Sequence, residues 1–158
     1  MPKKKQTWQI GDVFAIALLN GRFAIGQVLN DERKPLNSIA VALFRFDVER
    51  LAEISGLELT LENAISVIFV TRDLLENGTW KTAGNSSIRI PREMFPYEES
   101  RSQGFVGATV IGAGNVAEFM NAFFALVPWD DWADPSYLDG LLLSPARKPA
   151  KLLLKNSH

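Results

Sequence analysis

The residue types that most often carry out catalysis are nearly absent from this sequence. The chain of 158 residues has no cysteine, and its one histidine, His158, is the last residue. A nucleophile paired with a histidine base therefore cannot form inside the chain. Disulfides and thiolate metal sites are excluded as well. We therefore predict that the protein is not an enzyme and uses no cofactor.

One glycine-rich turn could in principle hold a phosphate group. Gly112, Ala113, Gly114 and Asn115 precede an expected helix, and the N-terminus of a helix attracts anions. The turn lacks the full glycine fingerprint of dinucleotide-binding loops, and it lacks the lysine of a P-loop. An ordinary turn is therefore the favoured interpretation.

Four aspartates near the C-terminal third of the chain could offer oxygen ligands to Mg²⁺ or Ca²⁺. They are Asp130, Asp131, Asp134 and Asp139, and their spacing is not that of an EF-hand loop. Solvated carboxylates and helix caps explain the same residues without a metal. We therefore predict no metal site.

The same aspartates alternate with large aromatic residues, and residues 128–139 are called the acidic aromatic segment below. Its aromatics are Trp129, Trp132 and Tyr137. One interpretation makes the tryptophans core anchors and Asp134 a helix cap. The other makes the segment a protein-binding surface, because aromatics concentrate binding energy and carboxylates select a basic partner. Both can hold for different residues of the segment.

The charge distribution favours a basic partner more strongly than the total charge of −1 indicates. Between Gln6 and Ala146 lie ten basic and all 18 acidic residues, a net charge of −8. Residues 93–139 contain eight acids, Glu98 and Glu99 among them, against Arg101 alone. Such a surface repels nucleic acid, whose phosphates require lysine and arginine, and attracts basic proteins.

A hairpin near the N-terminus must organise the elements that position these residues. Two apolar runs, residues 10–19 and 22–30, flank Asn20 and Gly21, which favours a two-residue type I′ turn. This turn would place Phe14 opposite Gln27, with large apolar residues on one face and small ones on the other. Because neither face is polar, we expect both to be covered. A glycine inside the second run, Gly26, indicates a bulge or a close backbone approach.

Further strands are predicted at residues 39–46, which should be central, at 64–70 and at 105–111, with short strands around Gly84 and Asn85. Residues 91–103 resemble a long surface loop. Asn115 is predicted to cap a helix that ends at Pro128. Thr71 should cap a brief helix, and Asp134 should begin another that reaches about Leu142. Residues 152–154 could add an edge strand.

These elements predict an α+β fold, in which a few helices pack on a curled or barrel-like antiparallel β-sheet. Residues 1–158 should form a single domain with basic flexible tails at 1–6 and 145–158. The sequence shows no secretory signal and no apolar run long enough to span a bilayer. The expected location is the cytoplasm, without membrane contact.

Three stretches resemble immunity protein 26, a family of bacterial proteins from polymorphic toxin systems. The first comprises Ile10-Gly11-Asp12-Val13-Phe14-Ala15-Ile16 and residues 21–29, and the second comprises Gly78-Thr79-Trp80-Lys81 with Gly84-Asn85. The start of the acidic aromatic segment, Pro128-Trp129-Asp130-Asp131-Trp132, is also similar to such proteins. At residues 17–21 members often have a proline and a second acidic turn residue, which this chain lacks. The resemblance implies an immunity protein that binds a cognate toxin and neutralises it without a reaction.

The favoured partner is therefore a cognate toxin domain of the nuclease type with a basic surface, and no nucleic acid is expected to bind directly. A neighbouring upstream gene for a large protein with a C-terminal toxin domain would support this interpretation. The alternative is another interaction module, a small β-barrel that binds a peptide or nucleic acid. The residues predicted to bind the toxin are Glu98, Glu99, Trp129, Asp130, Asp131, Trp132, Asp134 and Tyr137.

Overall fold

The protein is built on one six-stranded mixed sheet. The computed structural model describes residues 5–105 and 107–155. The strands are β1 (Asp12–Ala17), β2 (Phe23–Glu32), β3 (Ser38–Val48), β4 (Ala64–Thr71), β5 (Lys81–Asn85) and β6 (Val110–Ile111). Their order is β5-β1-β2-β3-β4-β6, and only the β4–β6 pair is parallel. Within the described residues the sheet is curled and not closed, which confirms the α+β prediction.

Short helices connect the strands, and one longer helix packs on the sheet. The α-helices are α1 (Arg33–Leu36), α2 (Asp73–Glu76) and α3 (Ala113–Phe123). The 3₁₀ helices are Leu51–Gly56, Leu61–Asn63, Arg92–Met94, Glu98–Gln103, Leu138–Leu141 and Pro145–Arg147. Across the described ranges, no helix combines the length and hydropathy needed to cross a membrane.

The predicted hairpin is present, but its turn is longer than the sequence indicated. The amide of Leu18 donates to the carbonyl of Arg22 at 2.8 Å, and the amide of Gly21 donates to the carbonyl of Leu18 at 3.0 Å. Gly21 has a φ of +83°. These contacts define a three-residue loop that ends in a left-handed glycine. The prediction of a two-residue type I′ turn was wrong.

This longer turn shifts the pairing of β1 with β2 by one residue. Phe14 lies opposite Gly26, and Ala15 lies opposite Ile25. A shift of one residue moves every side chain of β2 to the opposite face relative to β1. Each face of the hairpin therefore combines large residues from one strand with small residues from the other. The predicted division into a large face and a small face was wrong. The predicted close approach at Gly26 is confirmed by its contact with the Phe14 ring.

Hydrophobic residues cover the sheet on both sides, as the apolar hairpin predicted. The helix-side core joins one face of the hairpin to α3, and it contains or contacts all four tryptophans: Trp8, Trp80, Trp129 and Trp132. The loop-side core joins the other face to the 3₁₀ segments and the loop that ends at Phe105. β3 runs through the middle of the sheet, because its neighbours are β2 and β4.

The start of α3 is set by a contact that is distant in sequence. The amide of Ala113, the first residue of α3, donates to the Thr71 hydroxyl at 2.8 Å. Asn115 therefore lies within the first turn, and its prediction as the N-cap was wrong. Thr71 does not occupy the N-cap position of α2 either, since Arg72 does.

Several segments near the C-terminus have less regular structure than predicted. The strand predicted at residues 105–111 is reduced to β6. Asp134 begins a turn, and the helix that follows is the short 3₁₀ helix Leu138–Leu141. At residues 152–154 the structure shows a single bridge, which joins Leu153 to Pro128.

Candidate functional site

Trp129 anchors the acidic aromatic segment in the helix-side core. Its side chain is 1% exposed and packs against Phe119 of α3, with ring centroids 5.8 Å apart. Its indole N–H donates to Asp139 Oδ1 at 3.0 Å, so the polar atom of the ring is also satisfied. The core interpretation of Trp129 is therefore confirmed, and this residue fixes the segment on the surface of α3.

Asp130 is half-buried and Asp131 is exposed, and both contact Lys155. The backbone amide of Lys155 donates to Asp130 Oδ1 at 2.6 Å. The Lys155 ammonium lies 3.1 Å from Asp131 Oδ1, and both side chains of this ion pair are more than half exposed. One of the basic residues near the C-terminus therefore neutralises part of the predicted acidic surface.

Trp132 and Tyr137 form a partly exposed aromatic pair. Their ring centroids are 4.6 Å apart and both side chains are half-buried. The turn between them is closed by Asp134, whose Oδ1 accepts hydrogen bonds from the hydroxyl and amide of Ser136 at 2.7 and 2.9 Å. These two hydrogen bonds lower the pKa of Asp134, and the bond from the Ser136 hydroxyl has the larger effect. Asp134 is exposed and charged at neutral pH.

The four aspartates of the segment have separate partners and do not converge. Asp139 accepts the Trp129 indole and lies 2.9 Å from the Lys148 ammonium. The hydrogen bond from Lys148 lowers the pKa of Asp139. Burial opposes this effect, and the hydrogen bond from Trp129 adds to it. In the part of the chain that the structure describes, no three carboxylates or histidines come together in a way that could hold a metal ion.

Glu98 and Glu99 begin the 3₁₀ helix Glu98–Gln103, which leads to Phe105. Arg101 Nε lies 3.0 Å from both Glu98 oxygens, and Arg92 Nε lies 3.0 Å from Oε1. Burial raises the pKa of Glu98, but the hydrogen bonds from Arg92 and Arg101 outweigh it and the pKa is lowered. Glu99 is exposed. Glu98 is therefore a paired carboxylate, whereas Glu99 faces solvent.

A groove brings these two parts of the chain together over β4, and we call it the β4 groove. Its volume is about 400 Å³. Its lining includes Val67, Ile68, Tyr97, Asp134, Tyr137 and Leu141. Of the predicted site residues, Asp134 and Tyr137 line this groove. Tyr97, on its other part, directly precedes Glu98 in the chain.

The sequence analysis missed Tyr97 and the part of β4 beneath it. Tyr97 is 44% exposed and stacks on Phe69, with centroids 5.9 Å apart. A tyrosine beside two glutamates repeats the mixture of aromatic and acidic residues seen at residues 128–139. This mixture is the signal that points to Tyr97, whereas the prolines and charges of residues 91–103 predict only a surface loop.

Comparison with known protein families identifies one match. Residues 9–105 match the sequence model of the family described as immunity protein 26. The chain belongs to this family. Membership implies an immunity protein against a toxin, and proteins of this family are generally not enzymes. No curated protein and no solved structure matches the chain significantly.

The family match ends before the last third of the chain. It includes β1 to β5 together with Tyr97, Glu98 and Glu99. It does not include α3 or the acidic aromatic segment. The β4 groove therefore joins one wall inside the matched region to another wall outside it.

Proposed function

We propose that this immunity protein neutralises a basic, nuclease-type toxin by forming a non-covalent complex with it. The observation that carries the proposal is the family match over residues 9–105. The net charge of −8 between Gln6 and Ala146 supports a partner of opposite charge. We expect the complex to form in the cytoplasm of the cell that makes both proteins.

The proposed contact surface combines the acidic aromatic segment with Glu98 and Glu99. Asp131, Asp134 and Glu99 are exposed, so a basic toxin could approach them without rearrangement of the fold. The ion pair between Asp131 and Lys155 is exposed, and such pairs contribute only about 0–1 kcal/mol. An arginine or lysine of the toxin could therefore replace Lys155 at little cost.

Trp132 and Tyr137 are the aromatic residues that best suit the centre of this surface. Both are half-buried and their rings pack against one another at an interplanar angle of 31°, so little side-chain freedom remains to be lost on binding. Trp129 supports them from the core and is too deeply buried to contact a partner directly. Its proposed contribution is to hold the segment in place.

Neutralisation in this proposal requires binding only. The chain has no cysteine, and His158 lies outside the described residues. Carboxylates that contact a basic toxin can occupy the surface where the toxin would bind the phosphates of its substrate. The same charges should accelerate association at low ionic strength.

The proposal is tested with the C-terminal domain of the protein encoded immediately upstream, the expected toxin. Co-expression of this domain with the immunity protein should restore growth, and a catalytically inactive form should co-purify with it. Growth inhibition that persists at equal expression, together with the absence of a complex, would reject the proposed function. An unrelated toxin domain serves as the specificity control.

A further inference from the structure

The outer edge of β4 is only partly covered by other parts of the chain. At one end β6 pairs with Phe69 and Val70. At the other end the amide of Leu143 donates to the carbonyl of Ile65 at 2.7 Å. Between these contacts Val67 and Ile68 are half-buried, whereas their neighbours along the strand on both sides are buried. This gap is the floor of the β4 groove.

The gap leaves backbone hydrogen-bonding groups available to a partner. Along a strand, backbone groups alternate in direction, so either Val67 or Ile68 directs its N–H toward the outer edge. No backbone bond from the described loops reaches either residue. An exposed strand edge of this kind is a template for an added strand.

Aromatic side chains form the two walls of the groove. Tyr97 lies on one side and Tyr137 on the other. Tyr97 has a φ of +53°, which is unfavourable for a residue other than glycine, asparagine or aspartate. Such backbone strain is concentrated at functional sites. Here the strained conformation places the ring against Phe69 at the mouth of the groove.

The charge at the rim indicates which kind of segment would fit. Asp134 borders the groove and is exposed. The exposed Glu99 lies two residues beyond Tyr97 in the chain, whereas the charge of Glu98 is paired with Arg92 and Arg101. A cationic side chain would be attracted to this rim. The floor and walls suit apolar side chains, which alternate with polar ones along an extended strand.

We propose that the β4 groove binds a short extended segment of the toxin, which adds to the open edge of β4. An apolar side chain of this segment lies between Tyr97 and Tyr137, and a lysine or arginine lies beside Asp134. Backbone hydrogen bonds at Val67 or Ile68 fix its register. The inference rests on the proposed function, which supplies the toxin as the partner.

The test compares isotope-labelled immunity protein, free and bound to the inactive toxin domain, by residue-resolved amide hydrogen exchange. Exchange of the Val67 or Ile68 amide should slow about tenfold or more in the complex. Unchanged exchange at both amides in a formed complex overturns the inference. If exchange of these amides in the free immunity protein slows as the protein concentration rises, the inference is also overturned, because a second copy of the immunity protein would then occupy the groove.

Two variants test the walls and the rim of the groove by affinity. Tyr97→Asn removes the ring and introduces a residue that tolerates the left-handed conformation, and Asp134→Lys reverses the rim charge. Each should weaken the complex about tenfold or more. Leu19→Asn and Glu58→Lys are matched controls, because both residues are exposed and lie outside the groove. The controls should bind like the wild-type protein.

The outcomes separate this inference from the proposed function. Wild-type affinity in both groove variants, with their folding confirmed by circular dichroism, overturns the inference and leaves the function intact. If the wild-type protein itself forms no complex with the toxin domain, both the function and the inference are rejected.

Discussion

Phe14 lies directly across Gly26, so that a Cβ atom added to the glycine would be 2.4 Å from the Phe14 Cζ atom. The ring is also held by Trp80, on which it stacks at a centroid distance of 5.1 Å and an interplanar angle of 6°. Gly26 is therefore required because the phenylalanine ring occupies the space of a side chain.

Gly26→Ala should destabilise the protein by about 2 kcal/mol, because the added methyl group overpacks the helix-side core. The measurement is urea unfolding followed by far-ultraviolet circular dichroism. Gly56→Ala is the control, since nothing lies within 4 Å of a Cβ atom built there. Phe14→Leu should partly rescue Gly26→Ala, so purely additive effects in the double variant would contradict this contact.

Gly21→Val should cost about 1 kcal/mol or more, because a β-branched residue is strained at the φ of +83° found in the hairpin turn. No atom lies within 4 Å of a Cβ atom built there, so the cost is conformational and not steric. Gly21→Asn should cost less, because asparagine tolerates this conformation. An unchanged melting temperature in the valine variant would exclude a left-handed residue at this position.

Lowering the pH should destabilise the 3₁₀ helix that begins at Glu98. The pKa of Glu98 is lower in the folded protein, since hydrogen bonds from Arg92 and Arg101 outweigh the opposing effect of burial. Its ion pairs therefore add stability above the unfolded-state pKa of about 4.3, and this contribution is lost as the pH falls through the lower folded-state pKa.

Glu98→Gln should consequently reduce the loss of stability between about pH 7 and about pH 3, as measured by urea unfolding. Most of the difference from wild type should appear at the higher pH. Glu99→Gln, a change of the exposed neighbouring carboxylate, serves as the control. Equal acid sensitivity in the Glu98 variant and the wild type would argue against these ion pairs.

Changing Asp130 and Asp131 together to lysine should weaken the toxin complex by several kcal/mol, which is orders of magnitude in affinity. Two attractive charges become repulsive, and the contacts with Lys155 are lost. The folding stability should change by about 0.5 kcal/mol per site or less. Titration calorimetry with the inactive toxin at two salt concentrations measures the effect.

Glu58→Lys with Glu62→Lys is the matched control, because both glutamates are exposed and lie outside residues 93–139. This double variant changes the total charge by the same amount. If it weakens binding as much as the aspartate variant, the attraction is due to net charge and not to the proposed surface. An unchanged salt dependence in the aspartate variant would remove both residues from the interface.

Deletion of His158 should leave protection against the toxin intact, since the proposed mechanism is binding without catalysis. The residue is the only histidine of the chain. Growth in the presence of the active toxin measures protection, and co-purification with the inactive toxin verifies the complex. A truncated protein that folds and binds but no longer protects would indicate a chemical role for this side chain.

Local signals predicted the hairpin and the central strands well, but they could not define the register. Asn20 and Gly21 are compatible with a two-residue or a three-residue loop, because both place the glycine at positive φ. The difference of one residue determines whether Phe14 faces Gln27 or Gly26. The choice depends on packing against Trp80, which lies far along the chain.

The candidate site was predictable in composition but not in arrangement. Trp129 and Trp132 are equivalent in the sequence pattern, and only the position of Phe119 on α3 shows which one is buried. Tyr97 and Tyr137 line the same groove although they lie far apart in the sequence. No local pattern contains that information.

The location of all four tryptophans on one side of the sheet has a consequence for spectroscopy. Trp80 and Trp129 are buried in the helix-side core, and Trp8 and Trp132 pack against it. Intrinsic fluorescence therefore reports on that layer, while the loop-side core, rich in phenylalanine, contributes almost no signal of its own. A difference between the fluorescence and circular dichroism transitions would show that the two layers unfold separately. Emission from Trp132 would also change when a toxin covers it, which gives a label-free signal for titration.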